Sequence, residues 1–132
     1  NFAIDLGRAK MIGDLSYSQW RQFSCRSKIN LNITRWSHTN VFASSTSRPF
    51  ELAAFGCCIV SQPYNGIEQW FDIGKELYVV ESAEQAVDVY RRLLADKDER
   101  ERAGSSARAR VLKEHTFNHR AARLIDIIKG LK

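Results

Sequence analysis

The sequence predicts an α/β fold: a parallel sheet flanked by helices and followed by a helical C-terminal tail. Three observations carry this. Apolar and polar residues alternate strictly over Lys28–Ile33, the period of a strand. Ser47–Ser61 runs from a polar loop through a short amphipathic helix, closed by Gly56, into the apolar stretch Cys57-Cys58-Ile59-Val60. A short apolar run between polar turns reads as a buried strand. From Ser82 onward the period becomes helical. Strand and helix in alternation imply a parallel sheet with right-handed crossovers. The 132 residues suit a single domain, 1–132, large enough for its own core.

In order, Phe2-Ala3-Ile4 is expected as a first short strand. Asp14 and Ser16 offer N-caps to a helix whose Tyr17, Trp20 and Phe23 share one face, suited to the core. In the strand at Lys28–Ile33 the apolar residues lie on one face, with Asn30 and Asn32 opposite. Thr34–Ser47 has no period and is rich in Ser, Thr, Asn and Arg. A loop of roughly a dozen residues is long for a compact domain and points to function. After the central helix and strand, Pro63, Asn65 and Gly66 form a turn, Gly66–Phe71 a short helix and Glu76–Val80 another strand. Ser82 caps a helix over Ala83–Ala95, with Ala86, Val87, Tyr90, Leu93 and Leu94 inward. A charged helix follows over Lys97–Glu114, its thin apolar face made by Ala103, Ala107, Val111 and Leu112 and slightly weakened by Gly104. Thr116 caps a last helix, with Ala121, Leu124, Ile125 and Ile128 expected in the core.

Composition narrows the functional classes. Hydrophobic residues make up 44% and charged residues 27%, ordinary for a soluble globular protein. No apolar stretch approaches the ~20 residues of a membrane span. No signal peptide is visible and three cysteines form no framework, which points to a reducing, cytoplasmic setting. The chain begins with Asn rather than Met, as a fragment or trimmed product does. A net charge of +5 fits phosphate-bearing ligands as well as a plain solvated surface. Nucleic-acid motifs are absent, as are a Gly-rich dinucleotide fingerprint and a phosphate-binding loop. No Ser/His/Asp arrangement emerges and no catalytic residue is assigned. Cys57 and Cys58 are adjacent on a strand, so their side chains point opposite ways, into packing rather than onto a metal. His115 and His119 read as helix cap and surface, and His38 as a solvated loop residue. No metal or cofactor is called for.

Ligands of parallel α/β sheets bind beyond the carboxyl ends of the strands. The loops Thr34–Ser47 and Gln62–Gly66 follow strands and fall on that edge. A helix start there favours anions. Glu51, about one turn in, suits hydroxyl donors such as a ribose ring rather than a phosphate. Ser47 and Arg48 stand at that helix start, Arg48 with a planar cationic fork. The candidate substrate-binding residues are therefore Glu51, Arg48 and Ser47, with Phe50, Gly66 and Asn32 from the same helix, turn and strand. The competing reading of Arg48 and Glu51 is a local ion pair that fixes the loop.

These segments together resemble the glycosyltransferases related to the spore maturation protein CgeB. The resemblance rests on Ser27-Lys28-Ile29-Asn30-Leu31-Asn32-Ile33-Thr34, then Arg48-x-Phe50-Glu51-x-x-Ala54-x-Gly56, then Phe71-x-x-Gly74-Lys75-Glu76. The tail adds Arg100, Ala107-Arg108-x-Arg110-Val111-Leu112-x-Glu114-His115-Thr116 and Arg120. It implies the Rossmann-like, C-terminal half of a two-domain GT-B enzyme, the half that binds a nucleoside diphosphate sugar. An upstream half of the same parent protein would bind the acceptor, whose identity is open. Retaining relatives carry two glutamates eight positions apart. Glu51 matches the second, the ribose ligand, whereas the first falls at Ala43, which has no carboxylate. The strand at Phe2 resembles the third of the family's sheet, placing two strands upstream and implying weak or no activity from these residues alone. The alternative expectation is a non-catalytic nucleotide- or protein-binding module that kept the fold.

Overall fold

A computed structural model of the chain describes residues 7–34, 41 and 46–131. The expected strand at Phe2–Ile4, most of the loop Thr34–Ser47, His38 and Ala43 lie outside the described residues. Helix α1 (Tyr17–Arg26) starts on Ser16, whose side chain accepts from the Gln19 amide while the Gln19 side chain reaches back, a reciprocal capping box. Strand β1 (Asn30–Asn32) leads by way of the loop to helix α2 (Arg48–Ala54) and strand β2 (Ile59–Ser61). A 3₁₀ turn (Ile67–Gln69) precedes strand β3 (Tyr78–Val79). Helices α3 (Ala83–Ala95), α4 (Lys97–Glu114) and α5 (Phe117–Gly130) complete the chain. Ser82, Asp96 and Thr116 cap these three with their side chains, each satisfying an amide that the helix leaves unpaired.

The sheet is parallel, as expected, and its order is β1-β2-β3. Asn30 pairs with Ile59 and Asn32 with Ser61, while Val60 pairs with Tyr78. Because strand side chains alternate, the run into β2 supplies two cores. Cys57 and Ile59 join Leu52, Ala53, Phe71, Leu77, Ala107 and Val111 on one side. Cys58 and Val60 join Tyr78, Leu93 and Ala103 on the other. The two adjacent cysteines thus do serve packing on opposite faces.

Five expectations about burial are corrected. At β1 the expected apolar face is only partly covered: Ile29 packs against the core, but Leu31 is 45% exposed and Ile33 is exposed, whereas Asn32 is 1% exposed. Leu31 shares a face with Val60, but only Val60 lies beneath α3. Asn32 tolerates burial because it donates to Ser61 Oγ at 3.0 Å across the paired strands. On α3 the buried contact centres on Leu93, flanked by half-buried Ala86, Val89 and Tyr90. Val87 and Leu94 lie one position off that stripe and are exposed. On α4, Leu112 faces solvent, and Gly104 is not a weak point but a buried contact against Gly56. On α5, Ala121, Leu124, Ile125 and Ile128 are all exposed; no residue of this helix is buried. Its pattern is amphipathic, but nothing among the described residues covers the apolar side. The aromatic face of α1 also lies at the margin: Trp20 is half-buried, Tyr17 and Phe23 exposed.

Candidate functional site at the carboxyl edge of the sheet

Three chain segments meet where β1 and β2 end. The Gln62 amide donates to the Asn32 carbonyl at 3.3 Å, and the Gln62 side chain donates to the Thr34 carbonyl. Ser61 Oγ donates to a neighbouring carbonyl, with Gln62 O at 2.8 Å and Asn32 O at 3.3 Å. Helix α2 begins at the same edge, because Arg48 Nη1 donates to the Ile33 carbonyl at 3.1 Å. The proline at the start of α2, Pro49, is buried and costs nothing there, since an amide in the first turn has no helical partner.

The six sequence-derived candidates fall into distinct settings. Ser47 stands at the N-cap with helical backbone angles, its hydroxyl making no capping bond. Arg48 is exposed, and among the described residues its guanidinium makes one hydrogen bond, to the Ile33 carbonyl, of the five N–H donors it carries. Glu51 is half-buried in the first turn of α2. Its carboxylate forms no ion pair with Arg48, so a local Arg48–Glu51 pair does not account for the two residues among those described. Asn32 is buried, with Oδ1 lacking a hydrogen-bond partner among the described residues. Arg48 and the end of β1 that carries Asn32 are therefore brought together. Gly66 is buried with φ 85°, a left-handed conformation that starts the 3₁₀ turn and suits glycine. Phe50 turns instead into an aromatic cluster, with ring centroids 5.8 Å from Trp70, 5.4 Å from Phe71 and 5.4 Å from His115.

That cluster was only partly legible in the sequence. His119 is the cap partner it was expected to be, its Nδ1 lying 2.7 Å from Thr116 Oγ1. His115 is more than a cap. Its Nε2 lies 3.2 Å from the Trp70 carbonyl and its Nδ1 lies 3.0 Å from Arg120 Nη2. Burial depresses its pKa, and the Arg120 charge depresses it further. Sequence spacing cannot show this, because Trp70 lies 45 positions from His115. A separate cavity of about 320 Å³ lies at the opposite ends of the strands, lined by Cys25, Lys28, Cys57 and Arg100 among others. Among the described residues, no group of three His, Cys, Asp or Glu side chains could hold a metal ion. No helix among them is long and apolar enough to cross a membrane.

No curated protein matches this sequence. A family match covers most of the chain, residues 4–126, and its family description is glycosyl transferase-like. With the parallel α/β sheet and its flanking helices in place, the chain belongs to the glycosyl transferase-like family.

Proposed function

We propose that this domain binds the nucleoside diphosphate sugar donor of a glycosyltransferase, within the CgeB-like branch and with a GT-B arrangement. The acceptor then sits in another half of the same parent protein. Family membership supports sugar transfer as the reaction class. The single observation that carries donor binding is Arg48, held at the carboxyl edge of the sheet by one N–H bond to Ile33, with no second hydrogen bond to its fork among the described residues.

In this reading Arg48 binds the diphosphate through charge-assisted hydrogen bonds, with Ser47 beside it at the helix start. As the glycosidic bond to the phosphate breaks, negative charge grows on the departing nucleoside diphosphate. A guanidinium already fixed in place stabilises that charge without reorganising. Glu51 takes hydrogen bonds from the ribose diol. Gly66 and Asn32 shape the edge: Asn32 holds Ser61, and the left-handed Gly66 turns the chain away from it. The remaining contribution is alignment of donor and acceptor. A cytoplasmic location suits the three free thiols, which a reducing compartment preserves.

Calorimetric titration of the parent protein with a panel of nucleoside diphosphates tests this. Saturable binding of one of them is expected, weakened by about 1.5–3 kcal/mol in Glu51→Gln, the scale of a charged hydrogen bond. Absence of binding across the panel refutes donor recognition. Unchanged affinity for the free nucleoside in Glu51→Gln refutes the ribose contact.

A further inference from the structure

Helix α5 is attached to the domain in an unusual way. None of its residues is buried, so apolar burial does little to hold it. Its ring and hydrogen-bond contacts outside its own cap, among the described residues, run through Arg120. The guanidinium lies 4.9 Å from the ring centroid of Trp70 and 5.9 Å from that of Phe50, within range for cation–π attraction. Arg120 Nη2 is also 3.0 Å from His115 Nδ1. His115 in turn bonds the Trp70 carbonyl through Nε2 and stands edge-on to the Trp70 ring at 5.7 Å.

Only one form of the imidazole fits these partners. Arginine has no acceptor, so Nδ1 must accept; a carbonyl has no proton, so Nε2 must donate. That is the neutral, Nε2-protonated tautomer. A second proton can go only on Nδ1, which faces the guanidinium. It would replace a hydrogen bond with two cations 3.0 Å apart. We propose that His115 and Arg120 form a pH-sensitive clasp, which holds α5 on the Trp70–Phe50 platform while the imidazole is neutral and releases it on protonation.

The other charges facing this ring do not reverse that logic. From α4, Glu114 would favour the imidazolium and Arg110 would oppose it. Glu114 is already shared between Arg110 at 3.3 Å and Lys113 at 3.1 Å. Arg110 is drawn away to Glu76 and also feels Asp72. From α5, Arg120 faces the ring, and Arg123 and His119 line the same cleft. Phe50, Gln69 and Trp70 bring no charge. Burial and Arg120 both lower the pKa of His115 below its ordinary value near 6.5. A base with a depressed folded-state pKa contributes stability that is complete above the unfolded value and lost as pH falls through the folded one. The clasp is therefore closed at neutral pH and opens in mild acid.

Amide hydrogen exchange across the full chain, with intrinsic rates divided out, tests the device. Between pH 7.5 and 5.0, α5 protection should fall about tenfold relative to β2, as linkage through one depressed group allows. In His115→Gln the side chain can still accept from Arg120 and donate to the Trp70 carbonyl but does not titrate, so α5 protection should stay level. Wild-type α5 protection that does not change with pH overturns the proposal, as does an unaltered pH response in His115→Gln. A second readout is the imidazole titration of His115 followed by NMR. Arg120→Gln, which keeps a donor but removes the charge, should raise that titration point; an unmoved midpoint counts against the clasp.

Discussion

Gly104 of α4 lies against the backbone of Gly56, just beyond the end of α2. A Cβ built on Gly104 would stand 2.8 Å from the Gly56 carbonyl carbon and 3.2 Å from that of Cys57, and closer still to the Gly56 oxygen. Gly56 itself has φ 77°, so the left-handed turn that ends α2 is the very segment over which α4 crosses. Ala103 and Ala107 flank the contact and are buried.

Gly104→Ala therefore tests how tightly the two helices are apposed. In an exposed helix interior the change would stabilise by about 1 kcal/mol through propensity. Here the methyl meets backbone, which cannot swing aside, and overpacking of this kind costs about 1–3 kcal/mol or more. Net destabilisation is expected in urea unfolding, with the midpoint lowered and the slope unchanged. A raised midpoint would show that the helices are not in contact.

Arg110 and Glu76 tie α4 to the segment before β3. Arg110 Nε lies 2.5 Å from Glu76 Oε2, and that same oxygen accepts from the Asp72 amide at 2.7 Å. Glu76 is buried. Arg110→Met leaves this carboxylate without its cation, which should cost about 3–5 kcal/mol. Adding Glu76→Gln removes the orphaned charge while keeping an acceptor for Asp72. The double variant should then be less destabilised than the sum of the two singles, giving a clear interaction energy in a double-mutant cycle. Simple additivity would show that the pair carries no coupling.

The three thiols should separate sharply by reactivity. Burial pushes the Cys57 thiol up to about 12 and the Cys58 thiol up to about 11, while Cys25 is exposed. Thiolate is the reactive form. At pH 8 a thiol reagent should label Cys25 promptly, and Cys57 and Cys58 only after denaturant is added. Prompt labelling of all three in the folded protein would contradict the two-sided core around β2.

Arg48→Ala addresses the proposed donor site. Removing a guanidinium that contacts a diphosphate should weaken nucleoside diphosphate binding, and the loss should shrink as salt rises, because an exposed charge is screened. Binding of the free nucleoside should not respond. Equal losses for nucleoside and nucleoside diphosphate would assign Arg48 to holding Ile33 and the sheet edge instead.

What the sequence by itself determined is largely local. Ser16, Ser82 and Thr116 announce the starts of α1, α3 and α5 because capping is settled within four residues. The parallel pairing of the strands followed from the alternation of strand and helix, since such a chain needs crossovers. The opposed faces of Cys57 and Cys58 followed from the two-residue period of a strand. Only the tertiary structure decided which faces are covered. Leu31, Leu112 and Leu124 have the right period for burial yet are exposed, whereas Asn32 goes inside because Ser61, 29 residues away, answers its amide. Gly104 looked like a weak point in a helix until Gly56 came to lie against it. His115 and Arg120 acquired their relation through Trp70 and Phe50, which sequence distance separates from them. Periodicity states which residues share a face; burial depends on what packs against that face, and that partner is set by contacts far apart along the chain.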